Sequence, residues 1–396
     1  MRYRFLLLLL WIVLSGCQSK DPAQNAAPQA AAPVEAPAGD AAQDVREGLD
    51  LAQLAAQNER SMSVFNYGAY NVLLSDFAPV RSDSSNFSQK WEFFIYSEPY
   101  QARIKFEVSS MAFSKNEGKV RGYVKRSDGS EEYRISETLK DGKWSASGAP
   151  FALDFGAYRL RFADGTFHVE GTFERGSFEY DIPAHFWKPD TGTVYFGNRP
   201  KDFFRYGVLT YHREATGTVH IDGGAVPVHG NVYGNYYVMT KGIHEVFDEV
   251  ADFRKVSDDL LVEFRYYVPN HERYDAEPFG FAFAAFEGTP VFESTQIERT
   301  PLDRWLDEDH YGYLIDARQR IVAHDGSNTA RFEMLTANPV PSDPYADLPS
   351  FKRNIAMQFA KPIEYSIGVD WQIDLDVDGY RARIPFHSNY SMTRLR

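Results

Sequence analysis

From residue 63 onward the chain alternates apolar and polar side chains with a period of two, a rhythm that fits little besides antiparallel sheet. Ala102, Ile104, Phe106 and Val108 alternate with Arg103, Lys105 and Glu107. Trp371, Ile373, Leu375 and Val377 alternate with Gln372, Asp374, Asp376 and Asp378. Successive side chains of a strand point to opposite faces, so these runs set one face on a core and the other in water. Asp-Gly pairs at Asp128-Gly129, Asp141-Gly142, Asp164-Gly165, Asp222-Gly223, Asp325-Gly326 and Asp378-Gly379 punctuate the runs. Asp-Gly suits a two-residue hairpin because both central residues of a type I′ turn need positive φ. No long segment with helical period interrupts them, and the expected fold class is all-β. Asp374, Asp376 and Asp378 fall on one strand face, where Arg381 and Arg383 across the last hairpin are their economical partners.

The N-terminal sixth of the chain reads differently. Arg2 and Arg4 precede an unbroken apolar run over 5–14, which has the form of a secretory leader and is shorter than the roughly 20 residues a membrane span needs. Leu14-Ser15-Gly16-Cys17 follows, the pattern at which bacterial lipoproteins are cleaved and acylated. We therefore expect a leader over 1–16 and a lipid anchor on Cys17, whose two or three acyl chains suffice for stable attachment. Gln18 rather than Asp after the cysteine favours the outer membrane, facing the periplasm. Residues 17–43 are rich in Ala, Pro and Gln and read as a flexible tether, since they offer too little apolar surface to offset ordering entropy. Val45, Leu49 and Leu54 space a short amphipathic helix over 44–61, packed on the folded part or lying on the membrane.

Composition excludes further classes. Cys17 is the single cysteine, so no internal disulfide is available and stability must come from burial. Lys and Arg number 42 against 55 Asp and Glu, a net charge of −13 that becomes −15 if Arg2 and Arg4 leave with the leader. Such a surface repels nucleic acid, which we exclude as a partner. Aromatic residues make up 15% of the chain, enough to line a greasy cavity or to fill a packed core. In the run 279–284 aromatic side chains occupy one face and Gly or Ala the other, leaving room for close packing or for a ligand.

The middle of the chain carries a recognisable order of short motifs. The run 191–197 (Thr-Gly-Thr-Val-Tyr-Phe-Gly) precedes Tyr206-Gly207, then 217–223 (Gly-Thr-Val-His-Ile-Asp-Gly) and 228–234 (Val-His-Gly-Asn-Val-Tyr-Gly). Upstream stand Gln89-Lys90-Trp91, Ser127-Asp128-Gly129 and the run 136–140. In this order the chain resembles the tandem-lipocalin superfamily of survival-factor-one proteins, AttH proteins and carotenoid hydratases. The resemblance implies two lipocalin-like antiparallel β-barrels, one over 62–203 and one over 204–396, with the boundary near 201–205. It also implies an apolar ligand, such as a sphingolipid, ceramide or isoprenoid. Candidate cavity residues are Trp91, Phe106, Tyr233, Asn235, Tyr236, Phe281 and Phe283, for which core packing is the more economical reading.

Catalysis finds little support. The hydratase branch uses an Asp-His pair whose acid protonates a double bond, and Asn235 and Tyr236 stand at those positions; an amide cannot do this. Asp222 reads as a turn residue. His212, His220 and His229 lie close in sequence without a ligand spacing, His185 and His244 read as core or rim residues, and we expect no metal and no cofactor. No Gly-x-Ser-x-Gly elbow or phosphate-binding glycine loop is present. Asp303, Asp307, Glu308 and Asp309 around Arg304 and Trp305 read as a solvated loop face. The expected function is non-enzymatic lipid binding or transfer; an enzyme acting on an unsaturated lipid and a purely structural envelope protein are the alternatives. Labelled palmitate should enter the wild-type protein in bacterial cells and not the Cys17→Ser variant; equal labelling of both would refute the anchor.

Overall fold

The computed structural model describes residues 62–65 and, apart from short breaks, 72–395. The expected leader, Cys17, tether and helix lie outside the described residues, as does Asp378-Gly379. The described part is nearly all strand, in two curled antiparallel half-barrel sheets. The first holds β1 (Met62–Phe65), β2 (Asn86–Glu98), β3 (Tyr100–Met111), β4 (Ser114–Arg126), β5 (Glu132–Leu139) and β6 (Ser145–Gly148). It continues through β7 (Phe151–Phe155), β8 (Tyr158–Ala163), β9 (Thr166–Phe173), β10 (Gly176–Pro183), β11 (Thr193–Phe196), β12 (Phe203–Ile221) and β13 (Gly224–Met239). The second holds β14 (Phe247–Val256), β15 (Leu260–Pro269), β16 (Phe279–Phe286), β17 (Thr289–Ser294) and β18 (Gln296–Asp307). Then follow β19 (Tyr313–Asp325), β20 (Asn328–Met334), β21 (Asn338–Ser342), β22 (Ile363–Val377) and β23 (Tyr380–Arg394).

Strand order in the first sheet is β5-β4-β3-β2-β13-β12-β10-β9-β8-β7-β6, with β11 joining β1 to β12. In the second it is β17-β16-β15-β14-β23-β22-β20-β19-β18, with β21 on β22. Curling brings β4 against β7 and β5 against β9 in the first sheet, and β16 against β18 and β17 against β19 in the second. Two Asp-Gly pairs have the doubly positive φ expected of them: Asp164 and Gly165 at 49° and 76°, and Asp222 and Gly223 at 51° and 83°. The expected cross-strand pairs are present: Asp374 accepts from Arg383 Nε at 2.7 Å and Asp376 from Arg381 Nε at 2.9 Å.

The alternating runs bury the faces the pattern predicts. Trp91, Ile104, Phe106, Phe151, Phe155 and Phe167 fill the first half-barrel. The 3-10 turn Leu74–Phe77 closes it by inserting Phe77, whose carbonyl accepts from the Trp91 indole at 2.8 Å. Phe77 fits because Gly207 lies beneath it; a Cβ there would sit 2.5 Å from the ring. Trp371, Tyr365, Phe332, Phe253 and Tyr390 fill the second half-barrel.

The changeover between sheets lies at 240–246, not at the expected 201–205. The β12–β13 hairpin, which resembled the opening of a second barrel, pairs with β10 on one side and β2 on the other. Near its open end, residues 204–211 and 232–239 are almost all buried, whereas nearer the turn alternation returns. Continuous burial means that both faces of this wall are covered. Leu209, Val232, Tyr236 and Val238 face the first core, and Phe204, Tyr206, Val208, Tyr211 and Tyr233 face the second sheet.

On the outer face of β2 to β4, charged side chains form a ladder rather than standing singly in water. Arg103 Nε contacts Glu92 at 2.8 Å and Lys90 approaches Glu107 at 3.7 Å. Burial raises the Glu92 carboxyl, but Arg103 and Lys105 outweigh it and hold the group at about 2. Burial and the nearby Lys90 charge pull Lys105 down to about 8, against Glu92 and Glu107. A base lowered in this way is substantially uncharged, and nucleophilic, where ordinary lysines are still protonated. Amine acylation at pH 8 followed by peptide mapping should therefore label Lys105 ahead of the exposed Lys140 and Lys143; even labelling would refute the shift.

Candidate functional site

Two places gather polar groups beside apolar side chains. The first is the seam between the sheets. Tyr206 on β12 and Tyr233 on β13 each donate to Glu263 on β15, at 2.6 and 2.8 Å, and their hydroxyl oxygens lie 2.6 Å apart. Arg265 Nε donates to the same carboxylate at 2.9 Å, and its guanidinium lies over the Tyr206 ring at 4.2 Å. Arg254 from β14 lies over Phe94 and Tyr233, 4.2 Å from each centroid. Burial drives both tyrosine hydroxyls well above their ordinary range, Glu263 adding to it, so they act as neutral donors. Aromatic rings surround this cluster: Phe281 stacks on Tyr206 at 5.3 Å, and Phe283 meets Trp187 at 4.2 Å and Tyr211 at 5.3 Å. The Trp187 indole donates to Glu293 of the second sheet at 2.8 Å. With donors already on both oxygens, Glu263 serves to join the sheets.

The second place is a cleft of about 410 Å³ at the rim of the second half-barrel, between β18–β19 and the β20–β21 connection. Its apolar walls are Trp305, Ala317, Leu335, Ala337 and Pro339, and Arg304, Arg318, Asp303, Thr336 and Asn338 supply polar groups. The pairing of β18 with β19 slips on each side of Asp303, and such slips re-aim side chains. The volume falls within the roughly 300–1,000 Å³ of small-molecule sites. A smaller groove on β8 to β10, about 220 Å³, is flanked by Arg159 and Glu170, which pair with each other at 3.2 Å.

No family model and no curated protein matches the chain. Among solved structures it is similar to an AttH-type protein from Nitrosomonas europaea, with a TM-score of 0.50 and 12% identity over 84% of this chain and 100% of that one. Two structures of CghA, one holding Sch210972, align over 84% of this chain and 97% of theirs at 11% and 12% identity, with TM-scores of 0.40 and 0.38. The fold is the tandem lipocalin-like one.

Within this lipocalin-like fold the sequence candidates divide between two cores. Trp91, Phe106 and Tyr236 lie in the first half-barrel, where Tyr236 accepts from Gln89 Nε2 at 2.9 Å and meets Trp91 at 5.8 Å. Tyr233, Phe281 and Phe283 lie in the seam, and Asn235 shares the strand face of Tyr233. The small residues opposite Phe281 and Phe283, Ala282 and Ala284, face the second core, so the aromatic face of that strand docks sheet to sheet. Asp307 corrects the expectation of a solvated acidic face: it is 1% exposed and accepts from the Tyr365 hydroxyl at 2.8 Å and the His310 amide at 3.1 Å. Asp222 is the turn residue expected and pairs with Arg175. His229 approaches Glu214 at 3.0 Å and His185 meets the Tyr211 hydroxyl at 2.8 Å. No group of three metal-ligating side chains occurs among the described residues.

Spacing did not single out the cleft. Leu306 and Leu314, opposite each other on β18 and β19 at positions the alternation reserves for polar groups, are both about half exposed, but they mark the strand pair and not the cleft itself.

Removing the shared acceptor of the seam takes the carboxylate away from a largely buried guanidinium and from two buried hydroxyls. We expect Glu263→Ala to lower the unfolding free energy in urea by about 3–5 kcal/mol, and Tyr206→Phe by about 1–2 kcal/mol. A Glu263→Ala protein as stable as Glu298→Ala, an exposed control, would remove the seam from its joining role.

Proposed function

We propose that this protein binds a hydrophobic ligand of lipid type at the rim cleft of its second half-barrel and carries it without chemical change. In this reading Cys17 holds the chain on a cell-envelope membrane, the outer membrane facing the periplasm, within reach of its cargo. A sphingolipid or ceramide-like molecule or an isoprenoid fits the class of ligand.

The observation that carries the reading is the cleft together with the aliphatic side chains on the strands framing it. Leu306, Leu314, Leu335 and Val340 are 48%, 51%, 47% and 56% exposed, and they are four of the seven large hydrophobic side chains exposed among the described residues. Single exposed leucines are ordinary; here Leu335 lines the cleft, and the other three stand on β18, β19 and β21, the strands that lead away from it. An acyl or isoprenoid chain covers such a surface at roughly 25 cal/mol per Å² of apolar area removed from water. The two cores need no ligand to account for their aromatic residues, which already pack against one another.

Titration with a dansyl-labelled fatty acid tests this. We expect saturable binding by the wild-type protein, and weakening of about tenfold or more, roughly 1.4 kcal/mol, for Trp305→Ala and for Leu335→Asp, each folded by circular dichroism. Binding that neither substitution alters would place the ligand elsewhere, and absence of saturable binding would refute the reading.

A further inference from the structure

The arginines of β18 to β20 show an inequality. Arg299 pairs with Glu249, Arg304 with Asp316 at 3.1 Å, and Arg320 and Arg331 with Glu333. Arg318 alone among them has no carboxylate within ion-pair distance in the described residues. Among the described residues its one side-chain hydrogen bond runs from Nη1 to the Leu335 carbonyl at 3.2 Å. Its Nε is buried from solvent and has no acceptor among the described residues. A guanidinium presents five donors in a planar fork matched to carboxylate or phosphate oxygens, so most of this one is unused.

The surroundings select an anion. Arg304 and Arg318 face the cleft with Asp303 as the one acidic lining group, in a chain whose net charge is −13. Asp303 stands opposite Arg318 in the strand register yet forms no ion pair with it. The apolar walls begin immediately beside the guanidinium, at Ala317 and Leu335. A ligand that meets both demands carries an anionic head and an apolar tail. We propose that Arg318 is the head-group receptor of the cleft and that its ligand is an anionic amphiphile, a fatty carboxylate or an alkyl phosphate. This rests on the lipid-binding reading above and narrows its ligand.

Displacement of the dansyl-labelled fatty acid by three unlabelled competitors of equal chain length tests it: palmitate, hexadecyl phosphate and hexadecanol. We expect one or both anions to compete at least tenfold better than the alcohol, the better one identifying the head group. That advantage should shrink as sodium chloride rises from 50 to 500 mM, and it should vanish in Arg318→Gln while the alcohol still binds; Arg318→Lys should keep part of it. Equal competition by anions and alcohol, or a preference that survives Arg318→Gln, would overturn the head-group assignment and leave lipid binding standing. Failure of all three to displace the probe from wild-type protein would overturn both.

Discussion

A β-hairpin buried on both faces holds this molecule together. The open end of β12–β13 packs Leu209, Val232 and Tyr236 into one half-barrel and presents Phe204, Tyr206, Tyr211 and Tyr233 to the other sheet. A strand with one wet face can shift against its neighbours at moderate cost, but here a one-residue slip would exchange the contents of two cores. The wall therefore fixes the register of β2 and β10, which flank it, and the seating of β14 to β16, which lean on it. Aromatic pairs across the seam each add about 0.5–1.5 kcal/mol beyond their buried area. The Tyr206–Tyr233–Glu263–Arg265 cluster adds direction, since its charged and neutral donors meet one carboxylate in only one docking.

The first half-barrel, the second and the seam use the same residue types for different ends. Phe77 plugs, Trp371 fills and Phe283 docks. An aromatic-rich composition thus reports the amount of interior surface without saying which surface a given ring covers. The aromatic candidates Trp91, Phe106, Tyr233, Tyr236, Phe281 and Phe283 all stand in these packed clusters, whereas Trp305 is the one aromatic side chain that lines the open cleft.

Much of the fold was legible because period-two alternation has a local cause. Ala102, Ile104, Phe106 and Val108 were readable as an inward face, and Asp374 and Asp376 as partners of Arg383 and Arg381, because a strand's own geometry decides both. The sheet changeover was not legible. The β12–β13 hairpin carries motifs of a new unit, and only its pairing with β2, far away in sequence, shows that it closes the old one. The absence of polar–apolar alternation over 232–239, where Asn235 is the one strongly polar side chain, was the local sign of a wall covered on both sides. Asp307 was misread for a related reason: Tyr365, which takes it out of water, lies 58 residues away. The cleft depends on two slips in β18 pairing, and nothing local to Asp303 announces them beyond Pro301 nearby.

Strand β18 is also the last strand of its sheet in hydrogen-bonding order, and among the described residues no strand pairs with its outer edge. An edge of that kind invites pairing with any extended chain it meets. Pro301 removes one donor, and the slips on either side of Asp303 twist the edge out of a shape that another strand can match. The same two irregularities turn Arg304 and Trp305 toward the cleft. The irregularity that blunts this edge is thus also the one that shapes the cleft, and straightening β18 would undo both together.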